Sequence, residues 1–76
     1  MNQDELHRIL GVGPGWRVIW EGAHSLPEVQ HSCGGLYGPG GTYVSEYRRL
    51  TYTPTRMPGI EAAICERCRE AWVRAV

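Results

Sequence analysis

Two short pairs of residues in this 76-residue chain could ligate a metal ion. His31 and Cys33 form a His-x-Cys pair in the middle of the chain, and Cys65 and Cys68 form a Cys-x-x-Cys pair near its end. Together they supply three sulfurs and one imidazole, a complete tetrahedral donor set for Zn²⁺. All three cysteines of the chain belong to this set. We therefore predict one structural zinc ion held by these four side chains.

His24 is the alternative source of the imidazole. It lies in a segment flanked by Gly22 and Pro27 that shows no periodic pattern. The spacing of zinc ligands along a chain varies, so His24 is the substitute fourth ligand if His31 does not bind. In either case the three sulfur ligands are the same.

A short helix is predicted for residues 1–11. Asn2 and Glu5 have the spacing of a capping box, in which each side chain satisfies a free N–H group of the first helical turn. Apolar side chains then recur at helical spacing, and Gly11 is placed to end the helix. A helix this short is stable only when its apolar side docks on another element.

A small sheet with its loops is predicted for residues 16–53. Trp16, Val18 and Trp20 alternate with Arg17, Ile19 and Glu21, which predicts a strand with two indoles on one face. Residues 22–30 contain a proline and are predicted to be a loop. Residues 42–53 are rich in Thr, Tyr and Val, which favours one long strand or two short ones.

A second helix is predicted for residues 65–76. Glu70 and Arg74 have the i, i+4 spacing of a helical ion pair, and Cys68 and Trp72 would share a helix face. The Cys65 and Cys68 pair would then lie on the first turn, where free backbone N–H groups stabilise thiolates.

These features resemble the treble-clef and zinc-ribbon class of small zinc fingers. The resemblance rests on a knuckle-like segment, residues 31–34, on a hairpin at residues 42–53, and on the second cysteine pair at the start of a helix; it covers residues 29–76. The predicted fold is therefore a single α+β domain, residues 1–76. It has a short N-terminal helix, a small antiparallel β-sheet and a C-terminal helix, organised around one structural zinc.

The size and charge of the chain support a metal-stabilised fold and exclude several functions. A core this small supplies about 3–5 kcal/mol, whereas structural zinc contributes roughly 10–16 kcal/mol in small modules. The formal net charge is zero, so no overall field draws the chain to nucleic acid or to an anionic membrane. The sequence shows no signal peptide and no apolar run of about 18 residues, which predicts a cytoplasmic protein.

The expected function is recognition rather than catalysis. The chain has eight arginines and no lysine, which removes the chemistry that depends on an amine. We predict a non-catalytic, zinc-stabilised module that binds a protein partner, as in a small regulatory or accessory protein of a bacterium or bacteriophage. The candidate interaction residues combine aromatic and guanidinium side chains: Tyr43, Tyr47, Arg48, Arg49, Tyr52 and Arg56.

Two other functions remain open from the sequence. The same tyrosines and arginines could stack on bases and reach phosphates, which makes a nucleic-acid-binding zinc finger the first alternative. A thiol–disulfide redox protein that uses Cys65 and Cys68 is the second, because a Cys-x-x-Cys pair at a helix N-terminus has an activated thiolate.

Overall fold

The computed structural model describes residues 2–23 and 26–76, and most of the regular structure in them is β-strand. A short 3-10 turn at Pro39–Gly41 connects the second strand to the third. The elements in chain order are α1 (Gln3–Leu10), β1 (Arg17–Ala23), β2 (Glu28–Tyr37), β3 (Tyr43–Thr51), β4 (Thr53–Pro54), β5 (Ile60–Cys65) and β6 (Glu70–Ala75).

The strands form two separate sheets. The larger sheet has the order β1-β6-β5-β4, in which β1 runs parallel to β6 and the other neighbours are antiparallel. The strands β2 and β3 pair only with each other, as an antiparallel two-stranded ribbon. Two adjacent hairpins, β2–β3 and β5–β6, therefore dominate the fold.

The four-stranded sheet lies between the helix and the ribbon. Ala62 and Val73, which pair across β5 and β6, face a first buried cluster that contains Leu6 of α1. The next pair, Ala63 and Trp72, faces a second buried cluster that contains residues of the ribbon. Because side chains alternate along a strand, this places α1 on one face of the sheet and the ribbon on the other.

The N-terminal helix forms as the sequence predicts. The Asn2 side chain accepts a hydrogen bond from the Glu5 N–H at 2.9 Å, and Gly11 ends the helix with φ of 68°. Leu6 is completely buried against the sheet, and Ile9 and Leu10 pack beside it. The apolar side of the helix is thus docked, as a helix of eight residues requires.

The predicted C-terminal helix at residues 65–76 is wrong, and with it the two-helix α+β fold. This segment is the end of β5, a turn and β6. Ala71, Trp72 and Val73 are all buried because both faces of β6 are covered, so the strand lacks the alternation that would have identified it. Arg74 pairs with Glu61 on the neighbouring strand, and not with Glu70 as in a helix.

The central strands agree with the sequence prediction only in part. The segment 42–53 forms two strands, β3 and the beginning of β4. The segment 22–30, predicted to be a loop, contains the end of β1 and the beginning of β2. The missed start of β2 matters for the site, because it converts residues 28–37 into the partner strand of β3.

A polar network fixes the base of the ribbon to the sheet. The Tyr52 hydroxyl donates a hydrogen bond to Glu21 of β1, and the Arg74 guanidinium lies 4.0 Å from the centre of the Tyr52 ring. Arg74 also donates two hydrogen bonds to Glu61, at 3.0 and 2.8 Å. Residues of β1, β5 and β6 therefore form the network that holds Tyr52, which directly follows β3.

His7 connects α1 to the segment before β1. Its Nδ1 and Nε2 atoms lie 2.7 and 2.8 Å from the backbone carbonyl oxygens of Gln3 and Trp16. Carbonyl oxygens only accept, so both contacts are hydrogen bonds only when the ring carries two protons. These two bonds raise the pKa of His7, and the nearby Asp4 charge adds to the effect.

The protonated His7 should stabilise the fold in a pH-dependent way. Its contribution is fully present below the unfolded-state pKa of about 6.5 and is lost as the pH rises through the higher folded-state pKa. We expect the Tm difference between the natural chain and His7→Gln to shrink between about pH 5.5 and pH 8.5, as measured by circular dichroism. The control Arg8→Gln changes a cation of the same helix and should show no such trend; equal trends for the two variants would contradict the prediction.

Candidate metal centre

The ribbon contributes His31 and Cys33 to one face of β2. Side chains two residues apart on a strand point to the same side, and here that side faces the four-stranded sheet. Both are buried, with 6% and 2% of their surface exposed. The register of β2 against β3 shifts between Ser32 and Gly35, where β2 has one extra residue. The bulge consists of Cys33 and Gly34, so it includes a member of the site, and Gly34 has φ of 82°.

The β5–β6 hairpin contributes Cys65 and Cys68 from its turn. Cys65 is the last residue of β5, and Cys68 lies in the turn that precedes β6. Arg69 closes the turn with φ of 53°, the one positive value at a non-glycine residue in the described chain. Interactions with the backbone of Cys68 and Arg67 lower the pKa of the Cys65 thiol. A tight turn thus presents two sulfurs and stabilises the thiolate of one of them.

The four side chains meet between the two hairpins. The sulfurs of Cys33 and Cys65 are 3.3 Å apart, and the Cys68 sulfur is 3.9 Å from Nδ1 of His31. One ligand atom from each side chain lies within 4.8 Å of all the others. Donors that surround one zinc ion at about 2.3 Å are separated by about 3.8 Å in a tetrahedron. The cluster could therefore hold a single metal ion with little rearrangement.

The imidazole of His31 lacks a partner for one of its nitrogens. Nε2 is buried and has no hydrogen-bond partner among residues 2–23 and 26–76. The ring packs against Trp72, with 5.4 Å between the ring centres. Leaving such an atom unsatisfied costs about 1–3 kcal/mol. Coordination of a metal ion would give the imidazole nitrogen a partner.

The three thiols share their protons unequally. Burial raises the pKa of Cys65, but amide and thiol donors outweigh burial, and the net pKa is lowered. The hydrogen bond to Cys65, together with burial, raises the pKa of Cys33. Burial and the interaction with Cys65 raise the pKa of Cys68 to about 11. One thiolate is thus favoured at Cys65, and three thiolates this close together would require a cation.

Two guanidinium groups border the cluster. Arg67 packs over Gly34 so closely that a Cβ atom added there would lie 2.9 Å from its Nη2. The positive charges of Arg67 and Arg48 both lower the pKa of Cys33 and oppose the stronger effects that raise it. The two arginines, together with Cys33 and Cys65, line an open pocket with a volume of about 480 Å³. Their charge offsets part of the negative charge of a three-thiolate site.

The structure brings together all four residues of the predicted zinc site: His31, Cys33, Cys65 and Cys68. It places the second pair on a hairpin turn, whereas the sequence analysis placed it on a helix. His24, the substitute ligand, lies outside the described residues. The structure shows a cluster able to hold a metal ion, without showing which metal.

The predicted interaction residues are divided among several surfaces. Tyr43, Tyr47 and Arg49 occupy the face of β3 that points away from the sheet, as their spacing of two and four residues requires. Arg48 lies on the opposite face, beside the cluster of His31 with the cysteines. Tyr52 is only 7% exposed and belongs to the second buried cluster, so it is not a surface residue.

Arg56 lies on a different part of the molecule. It is in the loop between β4 and β5, where it borders a concave surface of about 520 Å³ together with Ile9 of α1 and Met57. It is therefore not part of the tyrosine face.

The sequence analysis missed three exposed residues at the end of the ribbon, Leu36, Tyr37 and Val44. Leu36 pairs with Val44, and Tyr37 pairs with Tyr43 across the turn. The signal for them was present, because apolar and aromatic residues flank the Gly-Pro-Gly-Gly segment on both sides in mirror order. Recognising a hairpin there would have paired β2 with β3.

Comparisons with protein-family models, with curated proteins and with solved structures find no match to this chain. The resemblance to treble-clef or zinc-ribbon proteins therefore has no support from a family or a fold match. No helix among the described residues is long and apolar enough to cross a membrane.

Metal binding should depend on His31 and not on His24. We expect the zinc affinity, measured by competition with a chromogenic chelator, to fall by more than about 100-fold in His31→Ala, because a ligand matters at least as much as its supporting contacts. Trp72 packs against His31, so its fluorescence should change when the natural chain is loaded.

His24→Ala is the matched control for this experiment, and it should retain the affinity of the natural chain. If His24→Ala loses zinc and His31→Ala keeps it, the site described above is the wrong one.

Proposed function

We propose that this chain is a non-catalytic interaction module, held in shape by one structural Zn²⁺, that binds a protein partner through the free end of its ribbon. We call this end the arm and define it as residues 35–47. The observation that carries the proposal is the exposure of large apolar side chains on the arm, directly beyond a cluster that could fix the arm in place.

The donor set of the cluster supports a structural zinc. Three sulfurs and one imidazole are a typical ligand set for this ion. Four protein ligands fill a tetrahedral site and leave no open position for water or substrate, unlike a catalytic zinc site. Because both ligand pairs come from β-hairpins, the zinc ribbon is the half of the sequence resemblance that we retain; the helix expected of a treble clef is absent from the described residues.

One face of the arm carries three exposed tyrosines. Tyr37, Tyr43 and Tyr47 are 79%, 60% and 68% exposed. The rings of Tyr37 and Tyr43 meet edge to face with 5.8 Å between their centres, and the Tyr43 ring lies across Gly35, where any Cβ atom would collide with it. Tyrosine is enriched among the residues that dominate protein interfaces, because it supplies a large rigid surface and a polar tip.

The opposite face of the arm is apolar as well. Leu36 and Val44 pair across the two strands and are 56% and 49% exposed. A two-stranded hairpin with apolar residues on both faces buries both only when a partner encloses it. This favours insertion of the arm into a cleft over flat stacking on one side.

The charges of the ribbon favour a protein over a nucleic acid. Within residues 28–51, Arg49 is the one cation on the tyrosine face, and it lies 3.6 Å from Glu28. Arg48 on the other face lies 3.7 Å from Glu46. Nucleic-acid binding draws its affinity from several phosphate contacts, and this surface offers few cations free to make them.

We retain the cytoplasm as the compartment, because the three cysteines are free thiols. The alternative of a redox protein that uses Cys65 and Cys68 relied on a helix N-terminus, and both residues lie at a hairpin turn instead. In the proposed function all three thiols are metal ligands.

The double variant Tyr43→Ser/Tyr47→Ser tests the arm. We expect it to weaken binding to the partner roughly tenfold or more, since central aromatic residues each contribute more than about 1 kcal/mol. Met57→Ser is the matched control, because Met57 is 44% exposed and lies in the loop between β4 and β5, beside α1 and outside the ribbon. Partner proteins are identified by quantitative cross-linking with the natural chain, and affinities are then measured by calorimetry with purified partner.

Two results would contradict the proposal that the arm binds a protein partner. One is a partner that binds the tyrosine double variant and the natural chain equally well. The other is tyrosine-dependent binding of a single-stranded oligonucleotide that weakens steeply with salt, which would replace the protein by a nucleic acid. Equal melting temperatures of the variants exclude unfolding as the cause.

A further inference from the structure

The sulfurs of Cys33 and Cys65 are in contact within the cluster, although the two residues belong to different sheets. Their sulfurs are 3.3 Å apart, and the residues are separated by 32 positions in sequence. Formation of a disulfide of about 2.05 Å would require the sulfurs to approach by about 1.3 Å. Cys68 is the more exposed thiol, and its sulfur is directed at His31 and at the Cys65 carbonyl oxygen, at 3.9 and 4.0 Å.

We propose that Cys33 and Cys65 are an oxidation site, at which a small hydroperoxide joins the two sulfurs in a disulfide that takes the place of the metal ion. The release of the metal rests on the proposed function; the modification of the two cysteines rests on the distance between their sulfurs. The Cys-x-x-Cys pattern of the sequence would instead pair Cys65 with Cys68.

The reaction balances with a hydroperoxide as the oxidant. One sulfur attacks the terminal peroxide oxygen, the O–O bond breaks, and an alcohol (water, for hydrogen peroxide) leaves with a sulfenic acid on the protein. The second sulfur attacks the sulfenic sulfur, the S–O bond breaks, and water leaves as the disulfide forms. Two electrons pass from the two sulfurs to the peroxide. Because both sulfurs are thiolates while they ligate the metal, the two protons that complete the alcohol and the water come from solvent. The metal ion keeps its charge and departs because two of its four ligands are lost.

The cluster is accessible to an oxidant of this size. The open pocket of about 480 Å³ is lined by both Cys33 and Cys65, and its walls include Leu50 and Ile64. The residues Cys33 and Cys65 are only 2% and 7% exposed, which excludes a bulky protein disulfide as the reagent. A small peroxide can therefore enter where a larger oxidant cannot.

The disulfide would preserve the attachment of the ribbon to the sheet. Cys33 belongs to β2 and Cys65 to β5, so the bond would cross the same boundary as the metal ion. Linking Cys65 to Cys68 would close a turn within one hairpin and leave the ribbon unattached. The oxidised protein would thus keep the ribbon attached to the sheet, while His31 and Cys68 would no longer be metal ligands.

Trypsin separates the alternative disulfides, because Arg67 lies between the two cysteines of the second pair. A disulfide of Cys33 with Cys65 joins peptide 18–48 to peptide 57–67, whereas one of Cys65 with Cys68 joins 57–67 to 68–69. The full-length protein, as purified and after zinc loading, is treated with hydrogen peroxide, and released zinc is measured with a chromogenic indicator. Peptides are then analysed by mass spectrometry without reduction.

We expect the 18–48 to 57–67 linkage, with one zinc ion released per disulfide formed, and reversal by dithiothreitol. Cys68→Ser should still form this linkage on treatment with peroxide, and Cys33→Ser should not. A linkage of 57–67 to 68–69, or intact thiols under peroxide in zinc-loaded protein, overturns the inference and leaves the metal site standing. Conversely, a chain that binds no zinc but forms the linkage supports the modification site and contradicts the proposed metal.

Discussion

The fold depends on how a two-stranded ribbon is attached to a sheet with which it shares no strand pairing among residues 2–23 and 26–76. Hydrogen bonding between strands ends at the border of each sheet, so the attachment must come from side chains. Apolar contacts supply part of it, through Val29 and the neighbouring buried residues. The cluster of His31 with the three cysteines provides the rest, since its members come from both sides of the border. In the proposed function, a zinc ion binds all four of these polar side chains at once. It is then the strongest connection between the ribbon and the sheet.

The ribbon is held at two points and free beyond them. At its base, Tyr52 is fixed by Glu21 and by the Arg74 guanidinium; at its middle lies the cluster of His31 with the three cysteines. The molecule measures 48 × 27 × 16 Å, an elongated shape for so short a chain. A ribbon secured at its base and middle presents its end in a defined direction, which lowers the entropy lost when a partner binds. The oxidation site proposed above would keep this geometry when the metal is lost.

The parts of the structure that could be predicted from sequence are those determined by neighbouring residues. The capping of α1 by Asn2 and its end at Gly11 follow from local hydrogen bonding, and the four clustered ligands follow from their chemistry. The last strand could not be recognised in the same way. Both of its faces are covered, so Ala71–Val73 are buried in succession, and the spacing of Glu70 and Arg74 suits a strand as well as a helix. The exposed residues Leu36, Tyr37 and Val44 were missed because their pairing depends on β2, whose first residues follow a proline.

Zinc-edge X-ray absorption of the protein as purified tests the central claim most directly. The account predicts zinc in equimolar amount, with three sulfur neighbours at about 2.3 Å and one nitrogen at about 2.0–2.1 Å. Such a shell would match the side chains that the structure brings together. A sample without bound metal that nevertheless folds cooperatively would contradict it, as would a zinc shell made only of oxygen and nitrogen. The ribbon would then be attached by apolar packing and by the Tyr52 network alone.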